Sequence, residues 1–165
     1  WTSQQFDPRL SWDDVAWIKE RWDRKLILKG ILDEEDARMA AKTGADAIIV
    51  SNHGGRQLDG AVSSISMLPR IVDAVGDQIE VHMDGGIRSG QDVLKARALG
   101  AKGTYSGRAY IYGLGAMGKA GVTTALEVIR KEMDTTMALC GCRNIEDFGT
   151  DHLIRTPPAT VNDYM

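Results

Sequence analysis

Two hydrophobic periods take turns along this chain. Short apolar runs occupy KLILKG (25–30), DAIIVSN (46–52), IEVHMDGG (79–86) and AKGTYSG (101–107). Runs of this length bounded by glycine or polar residues predict strands. Between them, DEEDARMAAKTG (33–44), ISMLPRIVDAVG (65–76) and SGQDVLKARALG (89–100) carry apolar residues at helical spacing. In the first, acids lead, Arg38 and Lys42 follow, and Gly44 closes the helix, matching the helix dipole and the usual C-terminal stop. Pro69 is tolerable only near the first turn of its helix. SWDDVAWIKERW (11–22) opens with Ser11 and Asp14 at capping-box spacing. A longer helix is expected over roughly 120–139, a short one at RNIEDF, and a loosely ordered tail in HLIRTPPATVNDYM, where Pro157-Pro158 bars regular structure.

Four strands, each followed by helix, predict a parallel α/β sheet. Strand faces distinguish a closed barrel from an open doubly wound sheet. Ile79, Val81 and Met83 share one side of their strand, and Glu80, His82 and Asp84 the other. Leu26 and Leu28 oppose Ile27 and Lys29 in the same way. One apolar face and one face with polar residues near the strand end suits a barrel wall, whereas a buried open-sheet strand is apolar on both faces. Four βα units are half of an eight-stranded barrel. The expected fold is therefore a (β/α)8 TIM barrel, of which this chain supplies the C-terminal half. The start at Trp1 rather than Met fits a piece of a longer chain.

Composition narrows the class. A net charge of −3 argues against a nucleic-acid surface. No apolar run has membrane-spanning length, and the first residues do not read as a signal peptide. Cys140 and Cys142, the two cysteines, read as reduced cytosolic thiols, since such near neighbours rarely bridge and two thiols do not complete a metal site.

Every predicted strand ends in residues that a core rejects. They are Lys29-Gly30, then Ser51-Asn52-His53-Gly54-Gly55-Arg56, then Asp84-Gly85-Gly86-Ile87-Arg88, then Ser106-Gly107-Arg108. In a βα barrel these ends face one mouth, where active sites form. DGGIRSG and YSGRAY each join a glycine turn to an arginine, the combination that cradles phosphate. Gly86, Arg88, Gly107 and Arg108 are thus phosphate candidates, and Asp84 suits a hydroxyl donor such as a ribityl chain. His53 can take a proton near neutral pH. Arg56 can clamp a carboxylate in bidentate fashion beside it. Lys29 fits either a Schiff-base nucleophile or a fixed cation near developing negative charge, the second use being favoured beside a base and a phosphate site. His82 reads as a packed interior histidine. Tyr105, Tyr110 and Tyr112, and Trp1, Trp12, Trp17 and Trp22, read as packing residues. GLGAMGKAG (113–121) matches a dinucleotide fingerprint only loosely, with no suitable strand immediately before it.

LILKGILDEEDARMAAKTGADAIIVSNHGGRQLDG, VHMDGGIRSGQDVLKARALGAKGTYSGRAYIYGLGAMG and MALCG, in this order, resemble the FMN-dependent α-hydroxy-acid oxidising family, which includes lactate dehydrogenases, glycolate oxidases and mandelate dehydrogenases. The resemblance spans about residues 5 to 148. It implies FMN as cofactor and oxidation of an L-2-hydroxy acid, lactate first and mandelate next. It implies His53 as base and cofactor contact, Arg56 as carboxylate clamp, Lys29 at flavin N1/O2, and Ser51 as a flavin or ribityl neighbour. Asp84, Gly85, Gly86, Arg88, Gly107 and Arg108 would hold the ribityl phosphate. The chain would be strands five to eight, residues 1–150 forming the half-barrel and 151–165 a tail. The family's active-site tyrosines and the aspartate that partners the histidine would lie in the other half. Implied partners are that half, the substrate, and further copies in a homotetramer. The implied location is cytoplasmic, with peripheral attachment at the inner face of a membrane as the alternative. Other readings are another FMN-barrel enzyme such as an isomerase, a half-barrel without activity of its own, and a phosphate-ligand module without chemistry.

Overall fold

The computed structural model describes residue 7 and residues 9–154. Within them, strands and helices alternate as the hydrophobic periods predict. Helix α1 (Trp12–Arg21) is followed by β1 (Ile27–Ile31), α2 (Glu34–Lys42), β2 (Ala47–Val50), α3 (Ser64–Val75), β3 (Glu80–Met83), α4 (Gly90–Ala98), β4 (Gly103–Thr104) and α5 (Arg108–Leu139). The strands form one sheet in the order β1-β2-β3-β4, and every pairing is parallel. Each strand lies beside its predecessor in sequence, the winding of a barrel wall rather than of an open sheet whose order reverses. Within the described residues β1 and β4 are the sheet's edges.

Register fixes what each face carries. Lys29 lies opposite Ile49, Ile49 opposite His82, and His82 opposite Gly103, so these residues form one row on the inner face. The alternate row, Leu28, Ile48 and Val81, faces the helices. A pairing shift between Lys29 and Ile31 brackets Gly30, whose φ of 99° is open to glycine.

The core lies between the sheet's outer face and helices α2, α3 and α4. Ile48, Val50, Leu68, Ile71, Val75, Val81 and Met83 are buried there with Ala37, Ala40 and Ala96. A smaller cluster of Leu94, Ala98 and Phe148 is packed by Met133, Met137, Ile145 and Leu153. His152 stacks on Phe148 with ring centroids 4.7 Å apart. The tail is therefore packed at His152 and Leu153, contrary to the expectation of loose order there, because Phe148 offers them an apolar surface. Residues 155–165, including Pro157-Pro158, lie outside the described residues.

Three local expectations need correction. Pro69 is the sixth residue of α3, beyond the first turn, and leaves Ile65 without its intrahelical donor. The strand expected over 101–107 is two residues long, because Ser106 and Gly107 turn into α5. Helix α5 starts at Arg108 and bends at Met117-Gly118. Gly118 has φ 58° and ψ −138°, a backbone that side chains reject. The bend folds the first arm back on the second, with the Cβ position of Gly121 overlapping Gly113 O. GLGAMGKAG is thus a helix–helix contact.

Ser11 and Asp14 cap α1 as predicted, the Asp14 carboxylate accepting from Ser11 N at 2.7 Å. Every residue of α1 is exposed or half-buried. Trp12 packs on the core, whereas Trp17 and Trp22 are exposed, and Arg21 lies 4.4 Å over the Trp17 ring. Trp1 lies outside the described residues.

Asp46, just before β2, ties α1 to the sheet. Its carboxylate accepts from Lys25 Nζ at 2.7 Å, Leu26 N at 2.9 Å and Lys19 Nζ at 3.0 Å. The Lys25 bond, then the Leu26 amide, then Lys19 hold this carboxyl well below the usual carboxylate range. A lowered folded-state pKa contributes stability that is complete above the unfolded value and is lost as pH falls through the folded one. Asp46→Asn will lower the melting temperature at neutral pH, and its deficit against wild type will shrink as pH falls below about 4. Thermal unfolding across pH checks this. Gly121→Ala will cost about 1–3 kcal/mol or more by overpacking the α5 bend, read from denaturant unfolding.

Candidate active site at the strand ends

The parallel register brings the C-terminal ends of all four strands to one rim. A cavity of about 240 Å³ opens there, lined by Lys29, His53, Gly54, Arg56, Asp84–Arg88, Tyr105–Arg108 and Ile111. Of the residues expected at the site, Ser51 alone is not part of this wall. It is buried, and it works from beneath.

Lys29 is the hub. Its Nζ lies 2.9 Å from Asp84 Oδ2 and donates to Ser51 Oγ at 2.8 Å. One ammonium thus joins the ends of β1, β2 and β3. Engagement by a carboxylate and a hydroxyl suits the fixed-cation use of Lys29 better than the nucleophile. Ser51 Oγ also accepts from His53 N at 3.1 Å, so the lysine and histidine share one buried hydroxyl. The second Asp84 oxygen, Oδ1, is buried without a partner among the described residues. A buried unpaired carboxylate oxygen is costly and calls for a donor from a ligand.

The two glycine–arginine turns differ in a way the sequence did not show. At Gly90–Ala98, the first turn is closed by protein groups. Asp92 Oδ2 accepts from Arg88 N and Ser89 N, each at 3.0 Å, and Glu132 Oε2 accepts from Gly90 N at 2.8 Å. The N-terminus of α4 is therefore already answered by carboxylates. Helix α5 begins after Gly107, an N-cap residue with no side chain to cap the helix amides. An anion at the rim meets the α5 dipole. A Cβ on Gly86 or Gly107 would touch nothing within 4 Å, so both glycines face open space. Arg108 reaches back across the cavity, its Nη2 lying 3.4 Å from the Cβ position of Gly54. These features fit FMN: an open helix N-terminus with two arginines for its phosphate, and an orphaned carboxylate oxygen for a hydroxyl.

His53 and Arg56 sit on the same short loop, whose residues His53–Gly55 form a 3-10 turn, and both side chains are exposed to the cavity. His82 is part-buried as expected, yet it is also bonded. Its Nδ1 lies 2.9 Å from Tyr105 Oη and its Nε2 3.1 Å from Glu80 Oε2. Tyr105 lines the cavity, and so does more than pack. Gly54, Ile87 and Ser106, named at the strand ends without a role, also line the wall, and Tyr105 and Ile111 join it without having been expected there. Cys140 and Cys142 are free thiols. Burial pushes the Cys142 thiol up, and His152 Nε2 lies 3.1 Å from its sulfur.

The family description "FMN-dependent dehydrogenase" matches residues 1–155. The chain belongs to the FMN-dependent dehydrogenase family. It is 51% identical over 158 residues to an L-lactate dehydrogenase of Caulobacter vibrioides, covering 96% of this chain and 41% of that protein. An L-lactate dehydrogenase of Pseudomonas aeruginosa is 52% identical over 155 residues, covering 94% and 41%. Among solved structures, the monotopic membrane protein (S)-mandelate dehydrogenase superposes with a TM-score of 0.88 at 41% identity, over 93% of this chain and 40% of that one. A mandelate oxidase gives 0.80 at 50% identity, over 83% and 41%. The four-stranded parallel sheet is accordingly part of a TIM barrel, and the chain spans about two fifths of the length of these relatives. FMN is the family's cofactor.

Arg108→Ala in the full-length protein will weaken FMN binding about tenfold or more, the loss of a charge-assisted bond. Flavin fluorescence titration measures it, and Arg97→Ala, whose guanidinium pairs with Glu146 away from the cavity lining, will show no comparable effect.

Proposed function

We propose that the complete protein oxidises an L-2-hydroxy acid to the 2-oxo acid with FMN. The observation that carries this is one cavity wall containing His53, Arg56, Lys29, Asp84 and both glycine–arginine turns. Arg88, Arg108 and the amides around Gly86 and Gly107 would hold the FMN phosphate. Asp84 Oδ1, left without a partner among the described residues, would accept from a ribityl hydroxyl. Lys29, positioned by Asp84 and Ser51, supplies positive charge where the flavin gains negative charge. When bound, FMN accepts the two electrons that the alcohol carbon loses. Arg56 clamps the substrate carboxylate and sets its hydroxyl-bearing carbon beside His53. The His53 imidazole receives the proton released as the carbonyl forms.

Lactate is the first candidate, on the identity to L-lactate dehydrogenases. Mandelate is the second, on the comparable identity to mandelate oxidase. A paired His53 and Arg56 favours hydroxy-acid chemistry over an isomerase or a phosphate-binding module. Residues 1–150 act as one half of the barrel, with 151–165 as its tail. The other half is the required partner: the β1 edge and the apolar groove of Leu10, Trp12, Val15 and Leu28 beside it offer it a surface. Homotetramer assembly follows from the family resemblance. Among the described residues no helix is long and apolar enough to cross a membrane. Of the cytoplasmic location and its alternative, peripheral attachment at the inner face of a membrane, the monotopic neighbour supports peripheral attachment.

His53→Gln in the full-length protein will retain FMN and reduce it with L-lactate about 10²–10⁴-fold more slowly. Stopped-flow absorbance measures the rate, and turnover at the wild-type rate would remove His53 as base. Arg56→Lys will raise KM far more than it slows flavin reduction, since a lysine cannot reproduce the planar fork.

A further inference from the structure

His53 has φ 55°, the positive-φ non-glycine position among the described residues. Gly54 and Gly55 follow at φ 69° and 72°, so three successive residues are left-handed. Glycine accepts that backbone freely, but histidine must be held in it. The His53 amide donates to Ser51 Oγ at 3.1 Å, and Asn52 holds the two left-handed residues that follow. The Asn52 Oδ1 accepts from Gly54 N at 3.0 Å, and the Asn52 carbonyl accepts from Gly55 N at 3.0 Å. Its Nδ2 reaches Val62 O, across the loop, at 3.4 Å. Behind it, Asn52 N donates to Ser64 Oγ at 3.2 Å. Ser64 is 2% exposed and is the first residue of α3. Gly85 closes the arrangement: a Cβ there would lie 2.9 Å from Ser64 Oγ and 3.0 Å from Asn52 Oδ1. The turn that carries Asp84 and Gly86 can press against Asn52 only because position 85 lacks a side chain.

We propose that Asn52, backed by Ser64, is a positioning residue for His53, fixing the left-handed turn that places the imidazole in the cavity wall. The proposal rests on His53 being the base. It makes Asn52 a link between the histidine loop and the Asp84–Gly86 turn, so base and cofactor cradle hold a common spacing. Asn52 touches neither substrate nor cofactor in this role. An ordinary turn cap would affect folding and flavin content alone, whereas a positioning residue changes the chemical step.

The test uses full-length protein with Asn52→Ala, Asn52→Asp and Ser64→Ala, loaded with FMN and normalised to bound flavin by absorbance. Anaerobic reduction by L-lactate should slow about a hundredfold in Asn52→Ala, as a misplacement near 1 Å does, with KM little changed. Asn52→Asp, which keeps the acceptor for Gly54 N, should recover part of the rate. Ser64→Ala should lose rate in the same direction and provides the test if Asn52→Ala does not fold. A crystal structure of the Asn52→Ala or Ser64→Ala protein should show His53 displaced from positive φ. Wild-type rates per bound flavin in both alanine variants, or His53 unmoved in the crystal, would overturn the proposal. If wild-type protein reduces no flavin with any L-2-hydroxy acid, the functional reading fails, and the position of His53 in the variant structure still decides the brace.

Discussion

Lys29 is a cation on an otherwise aliphatic strand, and the rim is built around holding it. Its side chain is 43% exposed at the open cavity, so what its protein partners add is chiefly a fixed position. Asp84 and Ser51 provide it from the ends of β3 and β2. Parallel pairing sets the register of β1, β2 and β3, and the shared contact joins their ends at one point. Ser51 then passes the constraint to His53 through its backbone amide. Asp84 is left with one oxygen satisfied and one waiting. The chemistry of the rim follows from how this pair of charges is shared.

The same economy separates structure from function along each element. Residues facing the helices are plain aliphatics and alanines, and they hold the sheet in place. Residues at the strand ends carry positive φ, charge and exposure together. A backbone such as Asn52–Gly55 would not persist alone. It persists because Ser64 and Val62 are held by α3 and its leading loop, which are anchored by Leu68, Ile71 and Val75 in the core. Stability invested in α3 thus appears at the rim as a fixed histidine.

Much of this was legible in the chain. Alternating periods give the four strands and the helices between them, and glycine stops and acidic first turns give most of their limits. The residue types at the strand ends pointed to the rim where the cavity opens, with a lysine, a histidine and three arginines on its wall. Other features depend on contacts between distant segments, which no local pattern carries. Glu132 closes the N-terminus of α4 from 42 positions away, so DGGIRSG and YSGRAY look alike in sequence while only the second begins an open helix. The first arm of α5 was missed because its glycines suggest a loop, whereas Gly113 and Gly121 are small so that two helix arms can touch. Asn52 did carry a local signal, an asparagine just before a histidine and two glycines, the composition of a side-chain-capped turn.

The central claim is that this rim, completed by the rest of the barrel, holds a flavin that an L-2-hydroxy acid reduces. The most direct measurement is an anaerobic visible spectrum of the full-length protein before and after L-lactate, with L-mandelate and D-lactate added to separate samples. The account predicts a yellow protein whose flavin absorbance bleaches with one or both L-acids and persists with D-lactate. A colourless protein purified and incubated with FMN, or a yellow one that no L-2-hydroxy acid bleaches, would contradict it.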